Sequence, residues 1–149
     1  MPKKKDQLYH EGVGRRRSAV ARVRLYIPQD GQEFSVSSFA LKKGRHVING
    51  ITLADYFTSK HDQARYNKVF DLVSALDRFA VSITTSGGGK EGQLEAVLLG
   101  AARALQSVDQ LMRAPLKKEG LLTRDARIRE RRKPGTGGKS RRQKQSPKR

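Results

Sequence analysis

Residues 86–105 read SGGGKEGQLEAVLLGAARAL, and this stretch predicts a glycine-rich turn that leads into an amphipathic helix. The preceding residues 79–85 alternate apolar and small polar side chains, which predicts a strand with Phe79, Val81 and Ile83 on one face. After the glycines, apolar residues recur at steps of three and four up to Val108, which predicts a helix that begins near Gln93. The stretch therefore predicts a strand–turn–helix unit.

The turn of this unit is a candidate phosphate-binding loop. Backbone N–H groups at a helix N-terminus attract anions, and Lys90 adds a positive charge beside them. The spacing of Gly87, Gly89 and Gly92 also matches G-x-G-x-x-G, the dinucleotide fingerprint, but no second strand ending in an acidic residue follows the helix. The Walker pattern fails too, because no Lys-Ser or Lys-Thr pair follows Gly92. Nucleic-acid phosphate is the favoured ligand, a plain turn is the alternative, and a nucleotide cofactor comes last. The residues predicted to contact phosphate here are Gly87, Gly88, Gly89, Lys90 and Gln93.

Charge is segregated along the chain. The 149 residues carry a net charge of +18, of which +6 lies in residues 1–24 and +12 in residues 113–149, while the middle is neutral. A polyanionic partner explains this distribution, because lysine and arginine release counterions from phosphates. An anionic membrane surface is the competing interpretation, but the C-terminal segment has almost no large apolar residue to bury in a bilayer interface.

Several classes of site have no support in the sequence. There is no cysteine, so disulfides and cysteine–zinc sites are excluded. His10, His46 and His61 are scattered without metal-ligand spacing and are expected at the surface. No apolar run reaches membrane-spanning length and no signal peptide is evident, so we expect a soluble protein that stays in the compartment where it is made. No cofactor is predicted.

The N-terminal third predicts a basic lead followed by a strand. Residues 1–11 form the lead, and residues 15–27 form a strand with Ala19, Ala21, Val23, Leu25 and Ile27 on its buried face. Arg22 and Arg24 then lie on the opposite face. With the triplet Arg15, Arg16 and Arg17 beside them, an RNA-facing surface is favoured over a merely solvated one.

The middle of the chain predicts further elements. They are a turn at 28–31, a weak strand or loop at 33–39, a turn at 42–44, a strand at 45–48, a tight turn at Asn49-Gly50, a short helix at 53–57 capped by Thr52, and a helix within 62–76. This order of elements predicts an α+β fold, a two-layer sandwich with helices on one face of the sheet. The globular domain is expected over residues 12–120.

The C-terminal extension, residues 121–149, begins after a short helix that starts at Pro115 and ends at Gly120. Residues 121–133 are either a helix with Arg124, Arg127 and Arg131 on one side or an extended segment, and the sequence does not decide between them. From Pro134 onward the chain offers no apolar surface and is expected to be disordered when free.

Together these residues resemble a family, the bacterial-type small-subunit ribosomal protein nine. The resemblance covers nearly the whole chain, and its specific pieces are GRRRSAVARV at 14–23, LADYF at 53–57, GGG with GQ at 87–93, RAL at 103–105, GLLTRDAR at 120–127 and the terminal Lys-Arg. It implies a fold similar to the second domain of ribosomal protein five. It also implies a position in the head of the small subunit, with the tail reaching peptidyl-site tRNA.

The sequence departs from this family at four places. Leu98 and Leu99 stand where bacterial members often carry arginine and histidine, which predicts fewer RNA contacts there. Residues 28–44 are longer than the usual link between the first two strands, and residues 67–72 lack a common proline. An aromatic residue that is usual near the C-terminus is absent, so its stacking is lost.

The resulting prediction is a structural, non-enzymatic rRNA-binding protein of a cytoplasmic bacterial ribosome, or of an organelle ribosome. An enzyme would need converging acids near Lys90, and Glu91 and Glu95 are better explained as a solvated helix face. A DNA-compacting protein is the third possible class. The expected partners are small-subunit rRNA, peptidyl-site tRNA and neighbouring ribosomal proteins of the head, with neither a membrane nor a homo-oligomer. The predicted rRNA ligands, beyond the glycine loop, are Arg15, Arg16, Arg17, Arg22, Arg124, Arg127, Arg131, Arg132, Lys133, Lys139, Arg141 and Arg142, and the predicted tRNA ligands are Lys148 and Arg149.

Overall fold

The computed structural model describes residues 8–28, 34–36 and 39–130. Strands and helices cover most of these residues, up to the end of the globular part. In chain order they are β1 (Tyr9–Arg16), β2 (Ala19–Tyr26), β3 (Phe34–Val36), β4 (Phe39–Leu41), β5 (His46–Ile48), β6 (Ile51–Thr52), α1 (Leu53–Tyr56), α2 (Lys60–Asp71), β7 (Ala80–Ser86), α3 (Lys90–Val108), a 3-10 helix (Gln110–Met112) and α4 (Arg113–Lys118).

Five strands form one mixed sheet in the order β1-β2-β7-β5-β6, and β3 and β4 form a separate hairpin. β1, β2 and β7 are antiparallel, whereas β5 runs parallel to β7. Parallel neighbours need a crossover connection, and here β6, α1 and α2 provide it. Together with the four helices of the described residues, this mixed sheet confirms the predicted α+β class.

The main hydrophobic core lies between one face of the sheet and the helices α2 and α3. β2 buries Ala19, Ala21, Val23 and Leu25 as its alternation predicts. Ile27, predicted to lie on the same face, is 53% exposed because it lies beyond the end of the strand.

The N-terminal strand pair corrects the sequence prediction of a single strand over residues 15–27. Residues 9–16 already form β1, and the chain reverses at Arg17 and Ser18 before β2. Glycine usually weakens a strand, so Gly12 and Gly14 indicated the end of a disordered lead. In the folded protein these glycines allow β1 to lie directly against α3. A Cβ at Gly12 would be 2.1 Å from the Gly100 carbonyl oxygen, and one at Gly14 would be 1.9 Å from that of Ala96.

The matching surface of α3 is a row of small residues, Ala96, Gly100 and Ala104, spaced four apart and fully covered by β1. This helix is therefore buried on more than the single apolar face that its periodicity predicts. Leu98 and Leu99 are also covered, at 8% and 6% exposed. Neither side chain is on the open surface.

Two helix boundaries differ from the predicted ones by three residues or more. α3 begins at Lys90 rather than near Gln93, because Gly89 takes the extended N-cap conformation. α2 ends at Asp71, and residues 72–74 form a turn, so Leu72, Val73 and Leu76 lie beyond the helix whose face they were predicted to share with Val69.

Three predicted turn and cap signals are confirmed. Asn49 and Gly50 both have positive φ, 46° and 88°, and they reverse the chain between β5 and β6. Thr52 caps α1 by accepting a hydrogen bond from the Asp55 N–H. Gly120, with φ 73°, ends α4 in a Schellman motif, in which the N–H of Leu121 donates to the Leu116 carbonyl. The predicted turn at 28–31 falls largely outside the described residues.

The expectation that all three histidines are surface residues is wrong for His46. Its ring packs against Tyr66 and Phe70, with centroids 5.4 and 5.0 Å away, and burial lowers its pKa from 6.5 to about 4. Within residues 8–28, 34–36 and 39–130, no three His, Asp or Glu side chains are grouped as metal ligands. Over the same residues, no helix is both long and apolar enough to cross a membrane.

Candidate nucleic-acid interface

The glycine loop, residues 87–89, joins β7 to α3 at one end of the sheet. Gly87 and Gly88 have φ of 69° and 65°, a left-handed conformation that glycine adopts without strain. A Cβ at Gly87 would be 2.4 Å from the Ser18 carbonyl oxygen, and one at Gly88 would be 2.8 Å from Ala19 Cβ. Gly89 has negative φ and nothing within 4 Å of such a Cβ. The backbone therefore requires two of the three glycines, and the third faces open space.

The N-terminus of α3 follows this open glycine. Gly89 offers no side-chain cap, and the first helical hydrogen bond runs from the Gln93 N–H to the Gly89 carbonyl. The N–H groups of residues 90–92 therefore lie outside the i→i−4 hydrogen bonds of the helix, at the positive end of its dipole. This geometry suits an anion, as the sequence predicts.

Lys90 lies beside the loop but is held by α1. Its Nζ donates to the Tyr56 carbonyl at 3.1 Å and lies 3.5 Å from the centroid of the Tyr56 ring. Cation–π contact fixes the charge without neutralising it. The side chain remains exposed, so its charge is available to a ligand at the loop.

Gln93 contributes to the shape of the loop through its own hydrogen bonds. Its Oε1 accepts from the Tyr56 hydroxyl at 2.6 Å, and its Nε2 donates to the Gly87 carbonyl at 3.1 Å. Next to it, Asn49 and Thr85 exchange three hydrogen bonds of 2.9 to 3.1 Å. Sequence reasoning missed Tyr56, Thr85 and Asn49 as supports of the loop, although Tyr56 lies in the LADYF motif.

The arginine triplet divides into two exposed residues and one covered residue. Arg15 and Arg17 are exposed, and Arg17 occupies the β1–β2 turn with φ 50°. The Arg16 side chain is 13% exposed, and its Nε donates to Glu95 Oε2 of α3. Its Nη1 lies 2.9 Å from Asp125 Oδ2.

Arg22 and Arg24 lie on the face of β2 that points away from the core, as predicted. Arg22 is exposed and lies opposite Thr84 of β7. Arg24 donates to Glu11 at 2.9 Å and lies over the Tyr9 ring. Glu11 offsets the charge of Arg24, so Arg22 is the stronger ligand candidate of the two.

Glu91 and Glu95 are ion-paired, which corrects the expectation of a merely solvated helix face. Arg65 of α2 contacts Glu91, and its Nη2 is 4.0 Å from Glu95. Glu95 therefore lies between Arg65 and Arg16. Carboxylates engaged by arginines in this way do not form the converging acid pair that a metal-dependent enzyme needs near Lys90.

Residues 121–130, here called the strap, run from the end of α4 back across the domain. Residues 124–130 have no regular secondary structure, so the helical alternative is wrong for this part. Arg127 forms hydrogen bonds from Nε and Nη2 to Asp125 at 2.6 to 3.0 Å and stays 84% exposed. These hydrogen bonds hold the pKa of Asp125 far below its usual range. Arg124 is exposed.

Three segments far apart in sequence meet at this end of the sheet. The glycine loop touches Ser18 and Ala19 after the arginine triplet, and the strap reaches Arg16. Arg15, Arg16, Thr123 and Asp125 line one shallow cavity. We call this region the cationic end and define it as residues 15–18, residues 87–90 and the strap. The other predicted ligands lie outside the described residues: Arg131, Arg132, Lys133, Lys139, Arg141, Arg142, Lys148 and Arg149.

Arginines and a glycine loop gathered at one end of a small α+β domain define a surface suited to binding anions. The model of the family Ribosomal protein S9/S16 matches residues 14–149. The chain therefore belongs to this family, whose members are structural, non-enzymatic constituents of the ribosome, and it functions in translation as a small-subunit ribosomal protein.

Bacterial relatives agree with this assignment, and each is called small ribosomal subunit protein uS9. The protein from Gemmatimonas aurantiaca is 42% identical over 128 residues, which cover 86% of this chain and 88% of the relative. The one from Bifidobacterium animalis subsp. lactis is 44% identical over 125 residues, covering 83% and 68%. The one from Cytophaga hutchinsonii is 39% identical over 123 residues, covering 83% and 85%.

Proposed function

We propose that this chain binds small-subunit rRNA in the subunit head through its cationic end. The observation that carries the proposal is that three segments meet at one end of the sheet: the arginine triplet at the β1–β2 turn, the glycine loop and the strap. Phosphate is the ligand because these parts combine exposed guanidinium groups with the N–H groups of a helix N-terminus. Neighbouring ribosomal proteins of the head are the proposed protein partners, in a cytoplasmic ribosome, and the chain acts there as a single copy.

The proposed ligands are those predicted residues whose groups are exposed at or near the cationic end. Arg15, Arg17 and Arg22 provide charge along the sheet, and Lys90 provides it beside the loop. Arg124 and Arg127 extend the charge along the strap. Gln93 and Arg16 are not included, because the Gln93 amide is hydrogen-bonded within the protein and Arg16 is largely covered and paired with two carboxylates.

Contacts of this kind determine where the protein lies on the RNA more than which base sequence it selects. Arginine–phosphate contacts orient a protein on nucleic acid without reading bases. We therefore propose that rRNA shape, rather than a base sequence, selects the site. A DNA-compacting protein would bind duplex DNA equally well at the same salt concentration, and this outcome would contradict the proposal.

The C-terminal tail has a proposed role of its own. Residues 131–149 add nine Lys and Arg residues and no acid. We propose that they continue the rRNA contacts and that Lys148 and Arg149 reach peptidyl-site tRNA. The resemblance in the sequence supports this role. The fold relation to the second domain of ribosomal protein five likewise stays a prediction.

A salt titration of rRNA binding tests the proposal. The double variant Arg15→Gln, Arg17→Gln removes two exposed charges from the cationic end. If each one contacts a phosphate, the slope of log affinity against log salt falls by about 1.4 to 1.8, at roughly 0.7 to 0.9 per phosphate. The matched control is Arg78→Gln, Arg113→Gln, which removes the same charge from exposed positions elsewhere. Equal losses in both variants would show that only net charge matters and would refute the site.

A further inference from the structure

We infer that Arg16 is a positioning residue that docks the strap on the domain, and that it is not a phosphate ligand. It is the least exposed arginine of the cationic end, and its guanidinium contacts two carboxylates and a carbonyl from two different segments. The effect on rRNA binding rests on the proposed function, whereas the docking itself concerns the protein alone.

The first step of the argument is that two nitrogens of the guanidinium group, Nε and Nη1, are engaged within the protein. Nε faces Glu95 of α3, and Nη1 faces Asp125 of the strap. The same Nη1 also donates to the Arg127 carbonyl at 3.5 Å. With its side chain 13% exposed, Arg16 has little surface left for a phosphate.

The second step is that Arg16 belongs to a continuous row of alternating charges. The row runs Asp125, Arg16, Glu95, Arg65, Glu91, and so it crosses from the strap through β1 and α3 to α2, and Arg65 of α2 contacts α3 a second time at Glu91. Glu95 thus has an arginine on each side, Arg16 in direct contact and Arg65 Nη2 at 4.0 Å. Arginine suits this role because its planar fork can serve two carboxylates at once, whereas lysine is a point charge.

The third step is that the strap has few other ties to the domain. Its start is held by the Schellman motif at Gly120 and by the partly buried Leu121 and Leu122. Beyond Thr123 it has no regular secondary structure, and a shallow cavity lies between it and α3. The contacts of Arg16 with Asp125 and Arg127 therefore determine where the strap lies, and with it the point from which residues 131–149 continue.

A distance measurement tests the docking. The chain has no cysteine, so Ser107→Cys and Ala126→Cys, both at exposed positions, can carry spin labels without background labelling. In this labelled protein the expected distance distribution is narrow. Arg16→Lys keeps the charge but loses the fork, and Asp125→Asn removes the carboxylate from a part-exposed position where loss of folding is not expected. Either change should broaden the distribution and lower the docking equilibrium constant roughly tenfold, equivalent to about 1.4 kcal/mol.

Two matched variants act as controls. Arg15→Lys makes the same substitution on the neighbouring exposed residue, and Glu130→Gln removes the same charge from another exposed site of the strap. Both should leave the distribution narrow. If Arg16→Lys and Asp125→Asn also leave it narrow, or if the controls broaden it equally, Arg16 does not position the strap.

A second readout separates positioning from stability. An iron chelate attached to Ala126→Cys cleaves nearby rRNA, and the docked strap should give a confined set of cleavages. Arg16→Lys should spread them, at an rRNA affinity within about twofold of the parent protein. A confined pattern would contradict the inference. If the parent protein does not bind rRNA at all, the proposed function fails while the distance measurement still decides the docking.

Discussion

Substituting each glycine of the loop with alanine should destabilise the fold in a defined order. At Gly88, alanine takes a left-handed conformation, which costs an L-residue roughly 1–2 kcal/mol. Its Cβ also lies 2.8 Å from Ala19 Cβ and 3.1 Å from the Ala19 nitrogen, so β2 must shift. Overpacking of this kind typically costs about 1–3 kcal/mol, and we expect a total near 3 kcal/mol for Gly88→Ala.

Alanine at the two neighbouring glycines should give different losses of stability, with which the loss at Gly88 can be compared. Gly87→Ala should cost at least as much as Gly88→Ala, because its Cβ meets a backbone oxygen, that of Ser18, at 2.4 Å. Gly89→Ala is the matched control, with negative φ and open space around the Cβ, and we expect less than about 1 kcal/mol from the poorer N-cap.

Urea unfolding monitored by circular dichroism measures these differences as changes in the midpoint at constant slope. A Gly89→Ala cost equal to that of Gly88→Ala would refute the geometric argument. The folded Gly89→Ala protein also isolates the rRNA contact. Its Cβ faces the space in front of the helix N-terminus, so rRNA affinity should fall although the fold is intact. Unchanged affinity would show that no phosphate approaches this backbone.

Three other predictions concern the buried histidine, the tail and its terminal pair. Because burial lowers the pKa of His46 to about 4 from 6.5, the unfolded chain binds the proton more tightly, and stability is lost as pH falls from 6.5 toward 4. The free energy of unfolding should fall by about 2 kcal/mol between pH 7 and pH 5. His46→Gln should remove most of that loss, whereas the exposed-site control His61→Gln should not. Equal pH dependence in all three proteins would contradict the assignment. Deleting residues 131–149 should lower the log–log salt slope of rRNA binding by roughly 3 to 4 if about half of the nine charges contact phosphate, whereas an unchanged slope would mean that the tail makes no such contacts. Removing only Lys148 and Arg149 should leave subunit assembly intact and weaken the binding of peptidyl-site tRNA by about 1–3 kcal/mol in dissociation assays. Poor assembly with normal tRNA retention would assign the pair to rRNA instead.

Local patterns predicted much of the fold, because hydrophobic period and turn chemistry act over a few residues. The alternation of β2, the turn at Asn49 and Gly50, and the helix end at Gly120 were all readable in this way. β1 was not, because the reason for Gly12 and Gly14 lies on α3, almost ninety residues away. A signal did exist in the row Ala96, Gly100 and Ala104, which together with Gly12 and Gly14 indicates two backbones in close contact.

The candidate site shows the same division. The sequence predicted which segments carry charge, but it could not show which arginines are used internally. Arg15, Arg16 and Arg17 have the same chemistry. Strand alternation and the position of Asp125 make Arg16 the residue that links β1 to the strap. Likewise, Glu91 has an evident partner only once α2 brings Arg65 against α3, and Glu95 only once β1 brings Arg16 against it.

Photo-crosslinking inside the assembled small subunit tests the central claim most directly. Ser18→Cys places a cysteine-reactive crosslinker at the cationic end, and Ser107→Cys places one near the far end of α3, roughly 25 Å along the helix. Both positions are exposed and neither change alters charge, so the pair is matched. The account predicts that Ser18→Cys crosslinks strongly to rRNA and Ser107→Cys weakly. Strong crosslinking from Ser107→Cys with none from Ser18→Cys would contradict it.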